Sequence, residues 1–172
     1  MSLITVTGLP RSGTAFVATL LQLHPYCLAY HELAAYRKDW REALKEFDLD
    51  ADYIADCNTY GYLKQYDVTP DKRVYIMNTP QYAHRAAEKA CRKKIDPQLM
   101  VNLARIGEIW ATENDCLVID RKKVFTLEGC REIWTYCFDD IFPVVKVAEL
   151  VKLNIQQHNA HVHFGEGSKF EL

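Results

Sequence analysis

The chain has 172 residues, 49% of them hydrophobic, which suits one buried core and leaves too little for two large domains; residues 1–172 are expected to form a single domain. Its 21 basic and 23 acidic residues give a formal net charge of −2, which excludes bulk attraction to nucleic acid or to an anionic membrane, so any anion site must be local. No apolar run is long enough to span a bilayer, and MSLITV lacks the basic start of a signal peptide, a combination that predicts a cytoplasmic protein.

The first predicted element is a β-rich run from Leu3 to Thr7, followed by Gly8-Leu9-Pro10-Arg11-Ser12-Gly13-Thr14 and then by the helical apolar pattern Phe16, Val17, Leu20, Leu21. A strand, a tight loop and a helix in that order leave free N–H groups at a helix N-terminus, a site for phosphate or sulfate. Gly8 and Gly13 permit the turn, Arg11 can add a charge-assisted bond, and Ser12 and Thr14 offer hydroxyls. The spacing of Gly8 and Gly13 fits GxxxxGK[ST], but Thr14 stands where that pattern needs Lys, which argues against ordinary ATP hydrolysis.

Pro25 closes the first helix, and Cys27 to Tyr30 reads as a second strand ending in His31-Glu32. In an open parallel sheet, residues at strand carboxyl ends share the crevice with such a loop. Leu33 to Phe47 has helical spacing with Ala34, Tyr36, Trp40, Ala43, Leu44 and Phe47 as its apolar stripe. Tyr53 to Cys57 is a brief strand, and Tyr60, Tyr62 and Tyr66 are either pocket-lining or half-buried loop residues. Arg73 to Met77 is a further strand, and Thr79-Pro80 caps a helix that ends in a basic turn, where Arg85, Arg92, Lys93 and Lys94 read as a solvated helix end. Asp96-Pro97 opens a helix to Glu113 whose expected apolar side is Leu99, Leu103, Ile106, Ile109 and Trp110, weakened at Gly107. Cys116 to Ile119 is a strand, Thr126 caps a helix from Leu127 to about Asp139, and Val144 to about His158 is the last helix. The tail from about 158 is expected to fray; its His158, His161 and His163 have no carboxylate or Cys at a metal-site spacing. The six cysteines contain no CxxC pair and read as buried, reduced thiols. Strands alternating with helices predict an α/β fold with a mainly parallel sheet flanked by helices.

Gly8-Leu9-Pro10-Arg11-Ser12-Gly13-Thr14, the helix ending Leu20-Leu21, His24-Pro25 and a Glu at the next strand end resemble the N-terminal core of sulfotransferases that use 3′-phosphoadenosine 5′-phosphosulfate, nearest the tyrosylprotein and carbohydrate branches. VYIMNTP and CLVIDRKKV extend the likeness more weakly. The resemblance implies a P-loop nucleoside triphosphate hydrolase-like fold and transfer of a sulfuryl group from that nucleotide co-substrate to a small-molecule, sugar or tyrosyl hydroxyl, with no metal required. It implies further that Pro10, Arg11, Ser12, Gly13 and Thr14 hold the 5′-phosphosulfate, that Arg11 contacts the sulfonate, and that Glu32 is the general base with His31 as the second candidate. The sequence departs from the family at two points. Ala15 replaces a second Thr, and the Arg and Ser that bind the 3′-phosphate have no counterpart; Arg105, Arg85 and Arg92 are the candidate substitutes. Two other readings stand beside this one. A nucleotide or nucleoside kinase fits the element order, and a non-catalytic nucleotide-binding or interaction protein on the same fold fits the missing pair. Neither nucleic acid nor membrane is an expected partner.

Overall fold

A computed structural model describes residues 1–32, 51–63 and 69–153. The expected helix at 33–47, Tyr66, the end of the last helix and the histidine-containing tail lie outside the described residues. Five strands, β1 (Ser2–Gly8), β2 (Cys27–His31), β3 (Tyr53–Thr59), β4 (Lys72–Met77) and β5 (Leu117–Asp120), form one sheet in the order β2-β3-β1-β4-β5. Every neighbouring pair is parallel. The helices are α1 (Thr14–Leu21), α2 (Pro80–Cys91), α3 (Pro97–Glu113), the single turn α4 (Arg121–Val124), α5 (Leu127–Cys137) and α6 (Val144–Leu153). The protein is therefore α/β, a five-stranded all-parallel sheet flanked by helices. Among the described residues, no helix is long and apolar enough to cross a membrane.

Local chemistry sets the element ends. Thr79, Asp96 and Thr126 each accept a backbone N–H in the first turn of α2, α3 and α5, and Pro occupies the first position of α2 and α3. Asp120, at the end of β5, caps α4 through the amide of Lys122. The main core lies between the sheet and α1, α5 and α6, where Ile4, Val6, Phe16, Val74, Ile76 and Trp134 are all buried. His24 belongs to this core and not to the loop. It stacks on Phe138 at a centroid distance of 4.3 Å, Nδ1 accepts from the Tyr26 amide, and Nε2 lies 3.5 Å from Asp140. It ties the far end of α1 to the connection between α5 and α6.

Four expectations are corrected. The segment read as a brief strand is the seven-residue β3, placed between β1 and β2. The helix read as continuing to Lys94 stops at Cys91, because Arg92 takes a left-handed conformation with φ 53°. Cys91 is exposed, although all six cysteines are free thiols. The largest change concerns α3, whose inward face is Met100, Ala104, Gly107 and Ala111, while Leu99, Ile106 and Ile109 are exposed. The cause is Tyr75 of β4: a Cβ on Gly107 would lie 2.5 Å from its hydroxyl oxygen, and that hydroxyl donates to the Ala104 carbonyl. Small residues let the helix sit down on a bulky ring, so the glycine read as a weak point is the point of closest approach.

Candidate functional site

The carboxyl ends of β1, β2, β3 and β4 meet at one edge of the sheet, and the loop from Leu9 to Gly13 rises from the central strand among them. Both flanks and the crest of this loop are tied down. The Tyr60 amide, just past β3, donates to the Gly8 carbonyl at 3.0 Å, and the Ser12 amide turns back to the Leu9 carbonyl at 3.1 Å. Asn78, just past β4, donates through Nδ2 to the Pro10 carbonyl at 3.3 Å. Arg121, just past β5, donates through Nε to the Arg11 carbonyl at 2.9 Å. Its Nη2 donates to the Tyr82 hydroxyl at 2.8 Å, and the guanidinium lies 4.1 Å from the Tyr82 ring centroid, so the cation that holds the loop is itself held.

Two residues of the loop take left-handed backbone conformations, Arg11 at φ 61° and Gly13 at φ 114°. The first is costly for a residue with a Cβ and is maintained by the bonds at the Pro10 and Arg11 carbonyls. Gly13 is the N-cap of α1 and supplies no side-chain acceptor; the first turn carries no acidic residue. The first intrahelical bond runs from the Val17 amide to the Gly13 carbonyl, so the amides of Thr14, Ala15 and Phe16 stand ahead of it at the mouth of the loop. With the helix dipole aligned behind them, these donors favour an oxyanion. Ser12 is fully buried, and among the described residues its Oγ has no hydrogen-bond partner. That hydroxyl packs over Gly8: a Cβ there would lie 2.7 Å from it. Because no hydrogen bond is lost, Ser12→Ala is expected to change stability by less than about 1 kcal/mol in chemical denaturation.

The structure brings His31 and Glu32 to the loop. Thr14 Oγ1 and His31 Nε2 are 3.2 Å apart, and His31 Nε2 lies 3.7 Å from Glu32 Oε1. Glu32 has left-handed backbone geometry, φ 63°, and its Oε1 accepts from the Thr59 amide at 2.9 Å while its own amide donates to the Cys57 carbonyl at 3.0 Å. The carboxylate is thus clamped to the end of β3, next to the strand that feeds the loop. Burial pushes the His31 imidazole below its ordinary value, and the Glu32 carboxylate opposes that shift. Tyr60 completes the rim: its φ is 59°, and burial pushes its phenol up to about 12.

Of the residues singled out in the sequence, Pro10, Arg11, Ser12, Gly13, Thr14, His31 and Glu32 are gathered at this edge. Arg105 is not. It is exposed in the middle of α3, and no hydrogen bond or ion pair joins it to the loop. Sequence reasoning named Tyr60 only as a pocket-lining or half-buried loop residue and missed Asn78 and Arg121; the available signal was position, since each directly follows a strand of the sheet. The strands beside β1 end in Asn58-Thr59 and Ile76-Met77, so neither places a carboxylate against Gly8. Asp120 ends β5, one strand farther out, and is engaged as a helix cap. Among the described residues, no group of three His, Cys, Asp or Glu side chains is placed to hold a metal ion. No protein-family model and no curated protein matches the chain in sequence comparison.

Proposed function

We propose that this chain is sulfotransferase-like and transfers a sulfuryl group from 3′-phosphoadenosine 5′-phosphosulfate to a hydroxyl acceptor. The observation that carries the reading is the meeting, at one sheet edge, of an uncapped helix N-terminus in a tied-down loop with a clamped carboxylate two strands away. In this reading the amides of α1 and the Thr14 hydroxyl hold the 5′-phosphosulfate, while Arg11, exposed at the crest, offsets charge developing on the sulfonate and the leaving phosphate. Glu32 takes the acceptor proton as the acceptor oxygen bonds to sulfur and the bond from sulfur to the bridging oxygen breaks. A magnesium-dependent kinase is less well supported, because Thr14 replaces the phosphate-binding Lys and the neighbouring strands offer no carboxylate at the metal position.

The 3′-phosphate needs a cation. Arg92 lies just past the far end of α2 and Arg105 on the outer face of α3, whereas Arg85 is exposed one turn after Tyr82, the ring that supports Arg121 beside the loop. Arg85 is therefore the contact this reading assigns. The rival reading, a retained scaffold that binds without catalysing, draws on Met77-Asn78-Thr79-Pro80 at the end of β4 and on the lack of any Ser in α2. A thermal-shift panel tests both. Adenosine 3′,5′-bisphosphate is expected to stabilise the chain by about 2.7 kcal/mol when present at a hundredfold its dissociation constant. Arg11→Ala is expected to remove most of that shift, and Arg85→Ala to bring the bisphosphate down to the level of adenosine 5′-monophosphate. No shift with the bisphosphate at millimolar concentration, or a shift with ATP and magnesium alone, would overturn the sulfotransferase reading. Binding without transfer to any hydroxyl would leave the scaffold.

A further inference from the structure

His31 stands between the loop and the carboxylate, with one ring nitrogen facing both. Its Nε2 is 3.2 Å from Thr14 Oγ1 and 3.7 Å from Glu32 Oε1, and both the ring and the carboxylate are largely enclosed, with 27% and 23% of their side chains exposed. The Thr14 hydroxyl carries one proton. With the loop empty, that hydroxyl can donate to a bare Nε2. An oxyanion at the start of α1 is the stronger acceptor, and once the hydroxyl turns to it, Nε2 faces two acceptors, Thr14 Oγ1 and Glu32 Oε1, and an N–H is favoured there. The ring can supply it by moving its own proton from Nδ1 or by taking up a second one, and the negative charge of the bound anion beside the ring favours the second.

We propose that His31 is a proton-linked positioning residue: an oxyanion binds the loop together with a proton on the His31 ring, and the resulting N–H fixes the Thr14 hydroxyl toward the anion. The proton comes from solvent, and no other bond is made or broken. The inference rests on the anion-binding reading of the loop and not on sulfuryl transfer.

The electrostatics have the right sign. In the free protein, burial disfavours the charged ring, with Glu32 pulling the other way. A dianion adds negative charge close to the ring and raises its affinity for a proton. Three other titratable or charged groups belong to the elements beside the ring among the described residues. Tyr30 precedes it in β2, and burial holds its phenol up. Cys57 is its register partner in β3, a thiol that burial and the neighbouring Asp56 keep protonated. Arg11 is the cationic side chain of the loop itself. Because the ring's proton affinity is higher in the bound state, anion affinity must rise as pH falls from above the bound-state value toward the free-state value, and level off outside that window.

Inorganic sulfate is the probe, since it does not itself titrate near neutrality. Calorimetric titration of the full chain in two buffers of different ionisation enthalpy, from about pH 6 to about pH 8.5, is expected to show proton uptake with sulfate and about tenfold tighter binding at the acid end. His31→Gln keeps an N–H donor for Thr14 and is expected to bind sulfate with neither proton uptake nor pH dependence. Sulfate binding by the wild type without proton uptake, or a pH dependence that survives His31→Gln, would overturn the inference while leaving the anion loop intact. A wild-type chain that binds neither sulfate nor adenosine 3′,5′-bisphosphate would overturn the loop reading as well.

Discussion

On the proposed sulfotransferase reading, Glu32→Gln is expected to slow sulfuryl transfer by about a hundred- to ten-thousandfold, the range associated with losing a positioned general base, while the affinity for adenosine 3′,5′-bisphosphate stays within about twofold. The substitution is informative because of how the side chain is held. Oε1 accepts from the Thr59 amide at 2.9 Å, and a glutamine carbonyl can accept the same bond, so the side chain keeps its place at the end of β3 and loses its charge. The left-handed backbone at Glu32 is common to both residues, φ being 63° in the native chain. Thermal denaturation should therefore show little change, which separates this substitution from Glu32→Ala, where the Thr59 amide loses its acceptor and a stability cost of about 1–3 kcal/mol follows. Steady-state kinetics with a fixed acceptor would show the loss in kcat more than in the KM for the donor. Equal loss in donor affinity would reassign Glu32 from proton acceptor to loop support.

The contrast between Glu32 and Arg121 shows what the chain order discloses and what it conceals. Glu32 was legible because it is local: Pro25, a short strand and the carboxyl-end rule bring it to the loop within 24 residues of Gly8. Arg121 reaches the Arg11 carbonyl across 110 residues, and nothing in DRKKV distinguishes that arginine from the lysines beside it until the sheet order places β5 beside β4. The helix caps at Thr79, Asp96 and Thr126 were legible for the same local reason, each being a side chain bonded to its own first turn. The packing face of α3 was not. Helical periodicity finds an apolar stripe but cannot tell whether the stripe or the row of small residues beside it meets the sheet, and here a tyrosine on β4 selected Ala104 and Gly107. β3 was read two residues short because Asn58 looks like a turn residue, yet it is buried in the strand, where its side-chain amide reaches the buried Asp56 carboxylate at 3.4 Å.

Gly8→Ala is expected to be the most damaging single change to the loop, lowering stability by about 1–3 kcal/mol and removing measurable sulfate binding together. Gly8 ends the central strand, paired with Thr59 on one side and Ile76 on the other. A Cβ there would meet the Ile76 carbonyl oxygen at 2.6 Å and Ser12 Oγ at 2.7 Å. The serine hydroxyl could rotate away, but the carbonyl belongs to the backbone of β4 and is fixed by its sheet pairing. Relief would have to come from β1 or from the loop itself, and the loop is bonded at Gly8, Pro10 and Arg11 to three separate strand ends. Moving it breaks those bonds and turns the amides of α1 away from the position an oxyanion would take. Gly13→Ala makes the useful comparison. Its backbone sits at φ 114° and the added Cβ would lie 3.0 Å from Phe125 Cζ, the far end of a ring that can give slightly. The cost there is chiefly the strained backbone, about 1–3 kcal/mol, with the strand ends undisturbed. Denaturant titration and sulfate calorimetry on both variants separate the two causes. Gly13→Ala should retain weakened binding, and Gly8→Ala should retain none; full binding by Gly8→Ala would show that the loop owes its shape to something other than the close approach to β4.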